Sequence, residues 1–297
     1  DVGSGQLKLN DDGFYTLMIG CSDMGTGCDT ILAQMAADGL GCDMDNIIVR
    51  GVDTDQSPYD SGSYASSTTY VTGGAVVKAC ESMRKRICEE AAAIMGLKSG
   101  EVDFDGETIS ENDNPEHSMT LSDLITSLEA GNGRIIEVTE SHTSPVSPPP
   151  FMAGAAEIEV DLETGKITPI NYVAAVDCGT VINTNLARIQ TEGGIVQGMG
   201  MTLYEDVQYT EAGKMKNRNF MSYKIPTRLD MGSISVEFES SYEQTGPYGA
   251  KSIGEIVINT PAPAIADAVY NATGLRFRTL PITAEQVMMG LLEREEA

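Results

Sequence analysis

The run Ala156-Glu157-Ile158-Glu159-Val160-Asp161, then Glu163-Thr164-Gly165-Lys166 and the resumed alternation of residues 167–176, decides the fold class. Apolar and polar side chains alternate with period two on both sides of a Thr-Gly turn. That pattern predicts an antiparallel hairpin with one buried face. Downstream, glycine-interrupted helical spacing covers 185–204 and a second alternating strand covers 234–240. Helices are predicted over 263–273, closed by Gly274, and over 284–295. Upstream, Ser141-His142-Thr143-Ser144-Pro145-Val146-Ser147-Pro148-Pro149-Pro150 is the sharpest break in composition. It divides the chain into a first subdomain over 1–140, a linker over 141–150 and a second subdomain over 151–297. In the first half, strands are predicted over 14–21, 46–52, 102–109 and 135–139. Helices are predicted over 30–40, ended by Gly39 and Gly41, over 75–95, closed by Gly96, and over 121–128, capped by Thr120 or Ser122. A long polar loop is predicted over 53–72. Strands and helices mix without regular alternation, so the class is α+β, built as two mixed α/β subdomains.

The 297 residues carry 44 acidic and 19 basic side chains, a net charge of −25, and two histidines, His117 and His142. So acidic a surface repels a phosphate backbone, which argues against nucleic acid as a partner. No polybasic cluster for an anionic membrane surface is read, and no run of 18 apolar residues predicts a membrane span. No charged segment followed by an apolar one marks a signal peptide at the start. Two histidines leave little for a His-based metal site or a Ser-His-Asp hydrolase, so no side-chain metal ligand is assigned. Cys21, Cys28, Cys42, Cys80, Cys88 and Cys178 show no C-x-x-C spacing. They read as reduced core thiols of a cytoplasmic protein.

Four segments have the composition of ligand sites. In Asp23-Met24-Gly25-Thr26-Gly27-Cys28-Asp29 a glycine pair lies between a predicted strand and helix. Backbone N–H groups left free there attract anions; a structural turn has the same pattern. Ser61-Gly62-Ser63-Tyr64-Ala65-Ser66-Ser67-Thr68-Thr69-Tyr70 concentrates hydroxyl donors without bulk. That suits a phosphate or pterin edge, or a flexible solvated loop. In Gly193-Gly194-Ile195-Val196-Gln197-Gly198-Met199-Gly200 four glycines interrupt a helix at about 1 kcal/mol each against alanine. Close packing or a ligand against the backbone accounts for that, and Gln197 has an amide to offer. Glu255 follows Gly249-Ala250-Lys251-Ser252-Ile253-Gly254 and precedes an apolar run. Desolvation there would raise its pKa toward that of a general base; capping a helix is the alternative.

Taken in order, these blocks resemble the molybdopterin-binding region of the molybdenum hydroxylases, the xanthine dehydrogenase and aldehyde oxidoreductase family, over residues 9–292. Residues 23–30, 157–177, 192–205 and 249–255 carry the resemblance, with Pro263-Ala264-Ile265-Ala266-Asp267-Ala268 and Pro281-Ile282-Thr283 near the end. The resemblance implies that Glu255 is the catalytic base, taking a proton from a metal-bound hydroxyl. It implies that Gln197 hydrogen-bonds an oxo ligand of the metal. Gly25, Thr26 and Gly27 match a pterin-contacting loop, and Tyr64, Ala65, Ser66, Ser67 and Thr68 match the loop that grips the cofactor's phosphates and cytidine. The implied cofactor is molybdopterin, in its cytosine dinucleotide form, with molybdenum and a terminal sulfido or selenido ligand. Thr26 stands where family members often have Gln, Ile256-Val257 where many have Pro-Pro, and Asn183-Thr184 where Asn-Pro is usual.

The family's earlier molybdopterin half, iron-sulfur cysteines and flavin domain have no counterpart in this sequence. The resemblance therefore implies a split enzyme, similar to the medium molybdopterin subunit of split nicotinate dehydrogenases. A large molybdopterin subunit, an iron-sulfur subunit and an FAD subunit are the implied partners. A small heterocycle is the implied substrate, with nicotinate to 6-hydroxynicotinate first and a purine, xanthine or aldehyde as alternatives. A non-catalytic scaffold subunit is the reading from another class; a scaffold has no chemical need for Gln197 or Glu255.

Overall fold

The computed structural model describes residues 1–295. The chain divides into two compact units, Asp1–Pro149 with Tyr242–Ser252, and Pro150–Ser241 with Ile253–Ala297.

The first unit starts with β1 (Val2–Leu9) and β2 (Tyr15–Ile19), then α1 (Cys28–Leu40), β3 (Ile47–Arg50) and α2 (Thr68–Met95). Three short strands come next: β4 (Val102–Phe104), β5 (Thr108–Glu111) and β6 (Asn114–Thr120). Helix α3 (Leu121–Asn132) and strand β7 (Ile136–Thr143) close the run. One sheet has the order β3-β2-β1-β7 and another β4-β5-β6. Leu7, Leu17 and Ile19 of the first sheet are fully buried, as are Leu32 and Ala36 of α1 and Ala75, Val76, Met83 and Ile87 of α2. Each large side chain removed from water contributes roughly 1.5–3 kcal/mol.

Local signals account for most boundaries. Helix α1 runs through Gly39, whose missing side chain lets α2 approach, since a Cβ there would come 2.8 Å from Cys80 Cβ; Gly41 is its cap. Thr120 caps α3, its hydroxyl accepting from the Asp123 N–H at 3.1 Å, a contact worth about 1 kcal/mol. The single strand expected over 102–109 is two strands. Asp105 turns the chain by accepting from the Glu107 and Thr108 N–H groups at 2.9 and 2.7 Å. Strand β6 carries no apolar alternation and lies at a sheet edge, with six of its seven residues exposed. Strand β7 continues to Thr143, into the stretch read as a linker.

Tyr242–Ser252 belongs to the first unit and is pinned there. Tyr70 Oη donates to Thr245 Oγ1 at 2.6 Å, and Tyr248 Oη donates to the Met35 carbonyl at 3.0 Å. Tyr248 itself holds φ at 52°, a conformation a tyrosine keeps only where its surroundings enforce it.

His142 on β7 lies against Gly74 of α2, where a Cβ would come 2.7 Å from its Cδ2. Both ring nitrogens are buried with no hydrogen-bond partner among the described residues. Burial and the Lys78 ammonium hold the imidazole below its ordinary value near 6.5. The unfolded chain therefore takes up a proton that the folded chain resists. Stability should fall as the pH drops through about 6.5. Replacing His142 by Leu should flatten that fall, read as urea midpoints at pH 7.5 and 5.5. An unchanged slope would show that the ring does not contribute.

The second unit opens with the predicted hairpin, β8 (Phe151–Val160) and β9 (Ile167–Asp177), antiparallel. Tyr172, Ala174 and Val176 face the core and alternate with exposed neighbours. Upstream the phase breaks, since Glu157 pairs with Asn171 but Ile158 pairs with Pro169. Ile170 is the extra residue of a bulge, and it is exposed. Helix α4 (Thr184–Leu203) comes next, its first turn capped by the Asn183 side chain accepting from Leu186 N–H at 3.0 Å. Then come β10 (Ser233–Phe238), parallel to β9, and helices α5 (Ile256–Asn259), α6 (Pro261–Thr273) and α7 (Ala284–Glu295). Ile195, Met199, Ile265, Val269, Ile282 and Val287 complete this core. Among the described residues no helix is long and apolar enough to cross a membrane.

Candidate functional site

In the first unit the glycine loop proves to be internally saturated. Asp23 Oδ1 accepts from the Gly25 and Gly27 N–H groups at 2.9 and 3.1 Å, and Oδ2 accepts from the Asp29 N–H at 3.3 Å. Burial alone would raise the Asp23 pKa, but the backbone donors of Gly25, Gly27, Asp29 and Thr26 hold it below the ordinary carboxylate value. The N–H groups expected to be free for an anion are thus occupied by this side chain. Gly25 and Gly27 are required by φ of 102° and 77°, and space is open beside Gly25. Thr26 is half-buried between them. Ligand-type atoms of Asp23, Cys28 and Asp29 lie within 4.8 Å of one another. Asp23 is committed to backbone, and the Cys28 thiol contacts Asp29 at 3.8 Å.

The hydroxyl-rich loop lies beside it, since Ser63 Oγ donates to the Ser22 carbonyl at 2.7 Å. This loop is fixed. Ser61 N–H donates to Val2 O at 2.9 Å, Gly62 N–H to Asp60 Oδ1 at 2.8 Å, and Tyr64 Oη to Asp1 Oδ1 at 2.8 Å. Ala65 and Ser66 are consecutive left-handed residues, with φ 49° and 55°. Such a conformation costs a non-glycine residue about 1–2 kcal/mol. Both precede the start of α2, whose first turn has no acidic residue and whose cap, Ser67, makes no side-chain cap bond. Ser67 Oγ instead donates to Tyr64 O at 2.8 Å, and Thr68 is the first helical residue. A left-handed pair here leads into the N-terminus of a 28-residue helix with no acidic residue in its first turn, where the helix dipole favours negative charge.

In the second unit the interrupted helix α4 lies directly on α5 and α6. A Cβ on Gly194 would overlap Val257, and one on Gly198 would come 2.7 Å from Pro261 Cγ and 2.9 Å from Ile258 O. These two glycines therefore serve helix packing, whereas Gly193 has open space around it. Gln197 stands beside this crossing on α4, and Glu255 immediately precedes α5; both are exposed. The desolvation expected at Glu255 is not supplied by this chain, because the helix after it is four residues long and too short to bury it. The capping alternative is not realised either, as Glu255 makes no side-chain cap bond. Gly198→Ala should cost about 1–3 kcal/mol through overpacking and displace the segment carrying Glu255. The measurement is the unfolding midpoint alongside turnover, and wild-type values for both would contradict the close packing.

A model of the molybdopterin cofactor-binding domain matches residues 1–232. The chain belongs to the molybdopterin-binding domains of the molybdenum hydroxylases. Probable hypoxanthine oxidase XdhD of Escherichia coli K12 is 32% identical over 296 residues, which is 98% of this chain and 30% of that protein. The xanthine dehydrogenase molybdenum-binding subunit of Escherichia coli O157:H7 is 29% identical, over 97% of this chain and 39% of that subunit. In crystal structures, quinoline 2-oxidoreductase of Pseudomonas putida 86 superposes with a TM-score of 0.89 at 25% identity, covering 98% of this chain and 38% of that one. Other relatives are named for carbon monoxide, nicotine and aldehyde oxidation. The chain thus spans about a third of the length of the relatives it matches. Within this molybdopterin-binding domain, sequence reasoning missed two residues, Asp23 as the clamp of its own loop and Asp60 as the anchor of the other. Asp60 accepts from both Gly62 N–H and Thr72 Oγ1. An acid two residues before a glycine was the available signal in each case.

Proposed function

We propose that this chain is the molybdopterin-binding part of a multi-subunit molybdenum hydroxylase that hydroxylates an N-heterocycle with water-derived oxygen. The observation that supports this reading is that α4, which carries Gln197, packs on α5, which Glu255 immediately precedes. The first unit fits the cofactor where the donors are neutral and the backbone is cradle-shaped. Residues Tyr64, Ala65, Ser66, Ser67 and Thr68 would hold its phosphates, in the cytosine dinucleotide form. The loop with Gly25, Thr26 and Gly27 would meet the pterin through the Thr26 side chain, since Asp23 already holds the N–H groups of both glycines.

When bound, the group supplies a molybdenum centre, with a sulfido or selenido ligand, that accepts the substrate's electrons. Gln197 offers an amide donor to a ligand of that centre. Glu255 takes up a proton at a carboxylate oxygen as a water-derived oxygen attacks the electron-poor ring carbon. Because this chain leaves Glu255 exposed, partner subunits would exclude water around it. Electrons would leave through iron-sulfur and FAD subunits, and a cytoplasmic location fits the six free thiols.

Nicotinate to 6-hydroxynicotinate is the proposed conversion, resting on whole-chain resemblance. A purine is the second reading, favoured by relatives named for hypoxanthine and xanthine. The purified complex should contain molybdenum and oxidise one of nicotinate, xanthine or an aldehyde far faster than the other two. A complex without molybdenum would sink the proposal, and an aldehyde preference would sink its substrate class.

A further inference from the structure

Residues 214–228 invert the character of the chain. Lys214, Lys216, Arg218, Lys224 and Arg228 are five of its 19 cations, with no carboxylate between Glu211 and Asp230. The absence of a polybasic cluster expected from the sequence is corrected here. All five are exposed, and among the described residues none of them pairs with a carboxylate. Apolar side chains are interleaved with them. Phe220 is 82% exposed, Met221 85% and Leu229 97%.

This segment is built and not loose. A bridge joins Tyr209 to Met215. Asn217 accepts from Gln208 N–H at 3.0 Å, and Asn219 accepts from the Met221 and Ser222 N–H groups at 3.1 and 3.2 Å. Asp230 accepts from Thr227 N–H and Oγ1, both at 2.7 Å. A free loop would turn its large apolar side chains inward; here the backbone is held so that they point out. The end of the segment also walls a groove of about 580 Å³ with Ile189, Val196, Pro226, Met231 and Ile234. Exposed aromatic and methionine side chains among cations, next to an apolar groove, have the composition of an interface core with a charged rim.

We propose that residues 214–231 and the adjoining groove dock the partner molybdopterin polypeptide, through an apolar surface on it rimmed by carboxylates. The inference rests on the proposed function, and it names the surface that the split requires. The relatives are about three times as long as the region matched here, and their unmatched region is the occupant proposed to cover this surface. A second copy is the poorer occupant, because two chains of −25 repel at long range more than five local cations offset. The same charge disfavours nucleic acid and anionic lipid.

The complex, purified from its host through a tag on this chain, is treated with a zero-length carbodiimide that joins amines to carboxylates. Mass spectrometry should find Lys214, Lys216 or Lys224 joined to the polypeptide that matches the uncovered part of the relatives. Links only to a second copy would overturn the proposal. So would lysines as reactive as in the isolated chain while the partner stays bound. The double variant Phe220→Ser, Leu229→Ser should lower co-purification of the partner at least tenfold, with the isolated chain's unfolding midpoint unchanged; undiminished co-purification overturns it. Retention of the free chain on phosphatidylserine vesicles, lost in K214E/K216E/R218E, assigns the strip to lipid and also overturns it. Molybdenum in the complex without the links removes the docking surface alone. No molybdenum removes the function on which it rests.

Discussion

Glu255→Gln should lower turnover of the assembled enzyme by about 10²- to 10⁴-fold, the usual contribution of a positioned proton acceptor. The amide keeps the size of the side chain and removes its basicity. Glu255 is exposed at the start of a four-residue helix, so the loss cannot be attributed to a disturbed core. Molybdenum content and the unfolding midpoint should match wild type. The fall should appear in kcat. Turnover within threefold of wild type would take Glu255 out of the mechanism and leave Gln197 without its partner in catalysis.

Ser66→Val should strip the cofactor from a folded protein. Ser66 holds φ at 55° directly after Ala65 at 49°. A β-branched side chain is a steric outlier at positive φ, and the strain is about 1–3 kcal/mol. If that strain opposes only the cradle, retention weakens by about 5- to 150-fold. Ser66→Gly accepts the same backbone without strain and loses only one hydroxyl, so it should retain more cofactor than the valine variant. The measurement is molybdenum and released nucleotide per chain after gel filtration. Equal occupancy in the two variants would mean that the left-handed pair does not shape the phosphate site.

Features governed by local rules were legible in the sequence. Period-two alternation gave the β8–β9 hairpin, and a hydroxyl at Thr120 gave the start of α3. Non-local information was out of reach. The polar strand Asn114–Thr120 is a strand because β5 lies beside it, and its own residues do not alternate. The bulge at Ile170 depends on pairing across the hairpin. At the glycine loop the free donors expected from the pattern are not found. Pattern shows that N–H groups exist, but not that Asp23 already holds them. At Glu255 a hydrophobic run in sequence suggests burial, although that run turns its apolar side toward α4 and leaves the carboxylate outside.

The return of Tyr242–Ser252 to the first unit sets the order in which the protein can be made. A nascent chain completes residue 149 long before it reaches residue 242. At bacterial or eukaryotic elongation rates the gap of about 93 residues takes roughly 5 to 20 s. During that wait the surfaces that will receive Pro247 and the Tyr248 hydroxyl, at Gly73 and Met35, stay uncovered. The first unit is therefore a late finisher on the ribosome, and a gene cut at the proline-rich stretch would encode a fragment missing one of its own inner pieces.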